Sequence, residues 1–450
     1  MERRNFLGKF GMGAAALGTV AAIPEAAHPV GPADTSDRNS FRAADFGAVG
    51  NGTADDTAAI QRAIDAAYKL GGGTVYLEGS AGRDFKCAGQ ISLDEKRGVR
   101  IIGNAGPNVQ GGQGAASAQL NYTGTASPFI SMRSCFSVSL ESVSVGYSNT
   151  SFRGVLVETG HSAKAKADPG YLLFDRCSFS GGPKANAAEY LLNLSLAICS
   201  TVTNCEFRNA NTGVVGSTGK GIYSNVVQIT NSAFRDLHKV GIQSAGESWL
   251  ISGCTFEPLT NGRAGAYLQG QGVLGYGLNI IGCWMGDVTK PGGCWLDISA
   301  APVVGLAVIG NRMGPAGTDP RDTAIKLGKG NQGVTITGNR IEGPICIDFT
   351  SGFTFGASIT GNDLQSPIPI ANLKNAMNHF VAGHYTTPNK MSGATTFETG
   401  IFSGDGVRGN INLAPQTWGP PTKPQNGDVW TTDAGMFVRI NGVTRKVTLS

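Results

Sequence analysis

The clearest pattern along this chain is a register of apolar and small residues that recurs through its middle. Eight segments, FDRCSF, VTNCEF, ITNSAF, ISGCTF, IIGCWM, VIGNRM, ITGNRI and ITGNDL, align on one anchor position, held by Cys177, Cys205, Ser232, Cys254, Cys283, Asn311, Asn339 and Asn362. Successive anchors lie 28, 27, 22, 29, 28, 28 and 23 residues apart. Three residues before the anchor the side chain is always apolar, from Phe174 to Ile359; two after it the residue is always Phe, Met, Ile or Leu, from Phe179 to Leu364. These columns are five residues apart, and alternate residues of a strand face opposite ways. Both point into one core only if the chain turns a corner between them. The residue just before the anchor is Gly five times, Asn twice and Arg once, which suits a corner with positive φ.

Units of 22 to 29 residues built from strands and corners, without helical periodicity, predict a parallel β-helix whose coils stack at about 4.8 Å. No coil is stable alone, because each buries its inward columns against its neighbours. The ladder is clear from about residue 170 to 366, and VRIIGNAG (99–106) and VSLESVSV (138–145) read as weaker coils with longer excursions. An open stack needs caps. In DDTAAIQRAIDAAYKL (55–70), Ile60, Ala63, Ile64 and Ala67 share a helical face, with Asp55 or Asp56 available as N-cap, so a lid helix is expected over the first coil.

Both ends depart from the ladder. Residues 1–34 join a basic start, Arg3-Arg4, to an uncharged segment from Gly11 to Pro24 and then to small residues and prolines, the form of an export signal of twin-arginine type. That apolar run is shorter than a membrane span, which needs about 20 residues. The mature protein is therefore expected in the periplasm or outside the cell, with no membrane span. The last part, 371–450, has a Pro-rich hinge at 420–424 and a predicted hairpin, Asp428 to Thr432 and Met436 to Ile440, and reads as a β-rich cap or a tail-like module.

With the coils in place, one further segment becomes recognisable. DFGAVGNGTADDTAAIQRAIDAAYKLGGGTVYLEGS (45–80), followed by GQISL and VRIIGNAG, closely resembles the entry segment of the pectate-lyase-like β-helix proteins. That group includes rhamnogalacturonase- and polygalacturonase-like enzymes, sugar epimerases and phage tailspikes. The resemblance covers about residues 41–370 and implies a right-handed parallel β-helix, capped by an N-terminal helix, that acts on or binds polysaccharide. Tailspike relatives are trimers, so the resemblance also leaves a homotrimer open, and PQNGDVWTTDAGMFVRING resembles terminal modules of tail and fibre proteins. The short patterns that carry polygalacturonase-like chemistry are incomplete: GHS at 160–162 and GHY at 383–385 lack the second glycine, and the only Asp-Asp lies in the cap.

Composition then narrows the chemistry. Lys plus Arg exceeds Asp plus Glu by 36 − 32 = 4 with no basic run, which argues against a nucleic-acid partner. The five histidines include no close pair and the nine cysteines form no Cys-x-x-Cys, so no transition-metal site is expected. No cofactor is implied, although Ca²⁺ held by carboxylates of adjacent coils stays open for a lyase. Outward columns are the remaining place for a site. They gather Glu206, Asp236, Glu257 and Asp287 as candidate catalytic carboxylates, and Arg208, Arg235, Trp284 and Arg312 as candidate substrate-binding residues. Two carboxyls about 5–9.5 Å apart serve glycoside hydrolysis. Lytic elimination from a uronic acid needs a base at C5 and a cation, such as Arg208, Arg235 or Lys239, on the substrate carboxylate. A tryptophan stacks on a sugar ring. The expectation is an exported polysaccharide lyase or glycoside hydrolase, the alternative a non-catalytic, tailspike-like carbohydrate-binding protein. Cys205 is expected to be an inert, shielded thiol.

Overall fold

The computed structural model describes residues 39–103, 118–182, 187–219, 222–257, 266–270, 275–286, 293–377, 379–382, 385–386, 429–432 and 435–447. The expected signal segment, 1–34, lies outside them. Three long parallel sheets, two of thirteen strands and one of eleven, run the length of a right-handed parallel β-helix. One coil shows the path: Ile198–Thr203 in sheet 1, Glu206–Arg208 in sheet 2 and Ala210–Val215 in sheet 3, after which Ser224–Thr230 re-enters sheet 1. Equivalent residues of successive coils pair in register, Val202 with Ile229, Phe207 with Phe234 and Val214 with Ile242.

The corner expected between the two apolar columns is present in all eight repeats. Arg176, Asn204 and Asn231 have φ of 52°, 54° and 49°, and Gly253, Gly282, Gly310, Gly338 and Gly361 lie between 60° and 65°. Both columns point inward: Phe174, Val202, Ile229, Phe179, Phe207 and Phe234 are fully buried. Phe179, Phe207, Phe234 and Phe256 stack nearly parallel with centroids 4.9–5.0 Å apart, each pair contributing roughly 0.5–1.5 kcal/mol beyond burial.

The anchor does more than turn the chain. Its side chain is buried and accepts the backbone N–H of the previous coil's anchor: Cys177 N to Cys205 Sγ (3.4 Å), Cys205 N to Ser232 Oγ (3.1 Å), Cys283 N to Asn311 Oδ1 (2.8 Å) and Asn311 N to Asn339 Oδ1 (2.8 Å). Cys, Ser and Asn interchange in this column because each is a small acceptor. Burial and the neighbouring Cys177 push the Cys205 thiol well above the ordinary range.

The lid helix is Thr57–Lys69, burying Ala59, Ile60, Ala63, Ile64 and Ala67 against the first coils. Asp56 occupies the N-cap position without capping by its side chain. Its backbone is already in the helical region, and its carboxylate instead accepts the N–H groups of Val49 and Gly50, tying down the incoming turn. Asp55 accepts the Thr57 hydroxyl and N–H and the Ala88 N–H.

The stack continues one turn past the expected limit at 370, through Ala376–Met377, Phe380–Ala382 and Tyr385–Thr386. The chain divides into two compact units after Met391. In the second, Val429–Thr432, Gly435–Ile440 and Val443–Lys446 form a three-stranded antiparallel meander, adding a third strand to the expected hairpin. Among the described residues no helix is long and apolar enough to cross a membrane.

Candidate functional site

Each inward Phe of sheet 2 is flanked by two outward residues, so the Phe stack also sets the spacing of two outward columns. In the first, Ser178, Glu206, Ala233, Thr255, Trp284 and Arg312 are in register. In the second, Ser180, Arg208 and Arg235 are, with Glu257 following in the next coil.

Within these columns the structure brings together four of the eight expected site residues. Glu206 points outward yet is only 3% exposed. Its Oε1 lies 3.6 Å from Arg235 Nη1, and its Oε2 accepts a long hydrogen bond from Ser178 Oγ at 3.5 Å. The other end of the same guanidinium, Nη2, is 3.0 Å from Glu257 Oε1. Arg235 thus stands between two carboxylates that start from strands two coils, or roughly 9–10 Å, apart. Arg208 is the in-register neighbour of Arg235. The Nε atoms of both arginines and Oε1 of Glu206 are buried without a hydrogen bond, a condition costly enough to mark a place for a polar ligand or water.

Trp284 and Arg312 stand apart from this cluster. Trp284 is 41% exposed, three coils or roughly 14 Å along the column from Glu206. Arg312 is exposed in the next coil and has no ion pair among the described residues. Asp236 occupies the left-handed corner after Arg235, with φ 49°. Asp287 lies outside the described residues.

Around the corner, at the start of sheet 3, a second polar ladder crosses the same coils. Asn211 Nδ2 donates to Glu189 Oε2 at 2.9 Å, and Lys239 Nζ lies 3.1 Å from Glu189 Oε1. Lys239 was expected as a cation; Glu189 and Asn211 were not, because the loop between sheets 2 and 3 varies in length and breaks the anchor alignment. Burial raises the neighbouring Tyr190 hydroxyl above its ordinary range, and that of Tyr147, which accepts the Gly182 N–H.

Chemically, this is a long polar face with a buried, cation-bearing centre and an exposed aromatic at one side. Paired glycosidase acids need a clear gap of about 5–9.5 Å between their carboxyls, and here Arg235 fills the gap between Glu206 and Glu257. Among the described residues no three of His, Cys, Asp and Glu converge, and both glutamates face Arg235.

A family model described as rhamnogalacturonase A/epimerase, pectate lyase-like, matches residues 40–267, about half of the chain. Mannuronan C5-epimerase AlgE2 of Azotobacter vinelandii is 70% identical over 67 residues, which are 14% of this chain and 6% of that protein. Alginate lyase 7 of the same bacterium is 48% identical over 67 residues, 14% of this chain and 8% of that protein. The chain thus spans less than a tenth of the length of these curated relatives. Among solved structures, the A-module of mannuronan C-5 epimerase AlgE6 from A. vinelandii superposes with a TM-score of 0.50 at 17% identity, covering 78% of this chain and 100% of that one. That likeness shows the fold alone.

Proposed function

This chain belongs to the rhamnogalacturonase A/epimerase, pectate lyase-like family, and from that premise we propose that it is an exported enzyme acting on an acidic polysaccharide at C5 of a uronic acid residue, as a lyase or an epimerase. The observation that carries this reading is the pair of in-register arginines, Arg208 and Arg235, at the buried centre of the outer face of sheet 2. Removing a proton next to a carboxylate builds negative charge on that carboxylate, and preorganised cations in a desolvated site stabilise it most. Two curated relatives, named for mannuronan and for alginate, support the same class of substrate.

In this scheme Arg208 faces the substrate carboxylate, and Glu206 is a positioning residue that holds Arg235. Glu257, the more exposed carboxylate on Arg235, takes the C5 proton. Elimination then breaks the C4–O bond, the electron pair leaving with the glycosidic oxygen; epimerisation instead returns a proton to the opposite face of C5. Trp284 stacks on a sugar ring and Arg312 pairs with a further carboxylate along the polymer. No step is assigned to Asp236 or Asp287. A second reading, binding without turnover, draws support from Arg235, which engages both glutamates.

Incubation with mannuronan, alginate, other polyuronides and neutral polymers separates the two. Ultraviolet-absorbing unsaturated ends indicate a lyase, and inversion at C5 by proton NMR an epimerase. The Glu257→Gln variant is expected to lose on the order of 10²–10⁴-fold in kcat with binding little changed. Reducing ends without unsaturation would replace the proposal with glycoside hydrolysis. Binding of a polymer with no product from any of them would leave the carbohydrate-binding reading.

A further inference from the structure

The corner where sheet 3 hands the chain back to sheet 1 is the one corner of a coil that sheet 2 does not adjoin. A column of left-handed residues runs along it, from Gly98 (φ 64°) to Gly356 (φ 63°). Glycine also holds the column at Gly277, Gly305 and Gly333, and small residues hold it at Ser137, Cys199 and Ser248. Tyr171, with φ 55°, is its one aromatic among the described residues. Any side chain larger than a hydrogen is disfavoured in this conformation. Tyr171 recovers little of that cost by burial, since it is 56% exposed. Strain kept at an exposed position points to a use outside the core.

The Tyr171 ring stands 4.9 Å from that of Phe136, which is 38% exposed. Gly170 makes room for the pair: a Cβ there would lie 3.2 Å from the Phe136 ring and 2.9 Å from Ile198. Phe136, Gly170 and Ile198 are in register in successive coils, and Val226, left-handed and 41% exposed, extends the strip one coil further. Three cations flank it. Arg97 is the in-register neighbour of Phe136 in the preceding coil. Lys164 and Lys166 flank Ala165, whose carbonyl accepts Ser134 Oγ at 2.9 Å, so their loop is fastened two residues from Phe136. All three are exposed and make no ion pair among the described residues. The carboxylates close by in sequence are engaged: Asp94 by Ser131, Glu95 by Ser162, Asp168 by His161 and Asp175 by Arg176.

We infer that this strip is a second binding site for an acidic polysaccharide, on the side of the helix away from sheet 2. Its size and charge favour that occupant. Three coil steps make it about 14 Å long, and it is one or two side chains wide, far short of the roughly 800 Å² that a protein partner buries. Exposed aromatic rings suit the C–H faces of sugar rings, and the free cations suit carboxylates carried along the polymer. The polymer class rests on the reading proposed for sheet 2, although the two sites share no residue. A polymer long enough to reach both sites gains avidity; a short oligomer does not.

The test is retardation of the full chain in native gels cast with graded alginate, polygalacturonate or dextran, which gives an affinity for each polymer. The parent is expected to be retarded by the two polyuronides and not by neutral dextran. Tyr171→Gly leaves the charge unchanged and is expected to lose roughly 2- to 10-fold in affinity for the polyuronides, the worth of one aromatic contact. Its thermal midpoint should be at or above the parent's, because glycine relieves the left-handed strain, and its turnover of a short oligouronate should be unchanged. Replacing Arg97, Lys164 and Lys166 together with Gln is expected to weaken polyuronide binding and its dependence on salt. Equal retardation of the parent by dextran overturns the proposal, as does a Tyr171→Gly chain that binds polyuronide like the parent. A midpoint lowered by several degrees would make the ring a structural support and overturn it too. Polyuronide binding that needs Tyr171 but yields no product from any polymer removes the catalytic reading of sheet 2 and leaves this site standing.

Discussion

Replacing Asn339 with alanine tests how the coils hold one another. Asn339 is 1% exposed, and its side chain makes five hydrogen bonds. Oδ1 accepts Asn311 N (2.8 Å) and Asn311 Nδ2 (2.9 Å); Nδ2 donates to Val308 O (2.8 Å), Thr337 O (3.1 Å) and Asn362 Oδ1 (2.9 Å). Truncation removes the acceptor of the buried Asn311 N–H, worth about 1–3 kcal/mol for an unsatisfied group. Asn311 Nδ2 keeps Ile280 O, and Asn362 Oδ1 keeps the Asn339 N–H, so those losses are nearer to about 1 kcal/mol each. The sum is about 3–5 kcal/mol. Asn339→Ser should recover about 1–2 kcal/mol of it, because a serine in this column accepts the neighbouring N–H, as Ser232 does from Cys205. Urea unfolding followed by fluorescence of the buried Trp249 and Trp295 gives both differences. A loss below about 1 kcal/mol for alanine, or serine no better than alanine, would refute an anchor column that works through its acceptor.

Other consequences are open to direct measurement. Arg235→Met leaves the buried Glu206 without its cation and should cost about 3 kcal/mol; adding Glu206→Gln should recover part of the loss, and a strictly additive double variant would contradict the pairing. In the native protein a thiol reagent at neutral pH should modify Cys199 alone, since the other eight of nine cysteines are buried, and burial pushes Cys87, Cys135, Cys294 and Cys346 up to about 12; rapid labelling of a second thiol would count against the packed core. The hydrogen bond from Thr57 holds Asp55 below its ordinary 3.8. A carboxyl depressed in the folded state adds stability above its unfolded value, which is lost as pH falls through the folded one. Thr57→Val should therefore raise the Asp55 titration midpoint by NMR and weaken the lid helix mainly above pH 4, and an unchanged midpoint would remove Thr57 as the cause.

What was legible in the sequence is what every coil repeats. Phe207 lies in an inward column and Asn204 at a left-handed corner in each reading, because a stack places equivalent residues in equivalent surroundings and the pattern is sampled eight times. Residues used once are less legible. Asp56 resembles a helix cap in sequence, yet its carboxylate serves a turn six and seven residues upstream. Glu189 and Asn211 are not legible in the repeat, because loops of unequal length separate them from the anchor column.

The sequence by itself determined the coil, its corners, its inward columns and which residues face outward on sheet 2, since all of these follow from local spacing and the two-residue period of a strand. Only the tertiary structure decided what the outward residues do. Glu206 is outward by pattern but buried in fact, because Arg235 from the next coil crosses to it and to Glu257 of the coil beyond. Whether a charge stands free or paired depends on side chains from three different coils. Register alone lines those coils up; the reach and packing of each side chain settle the rest.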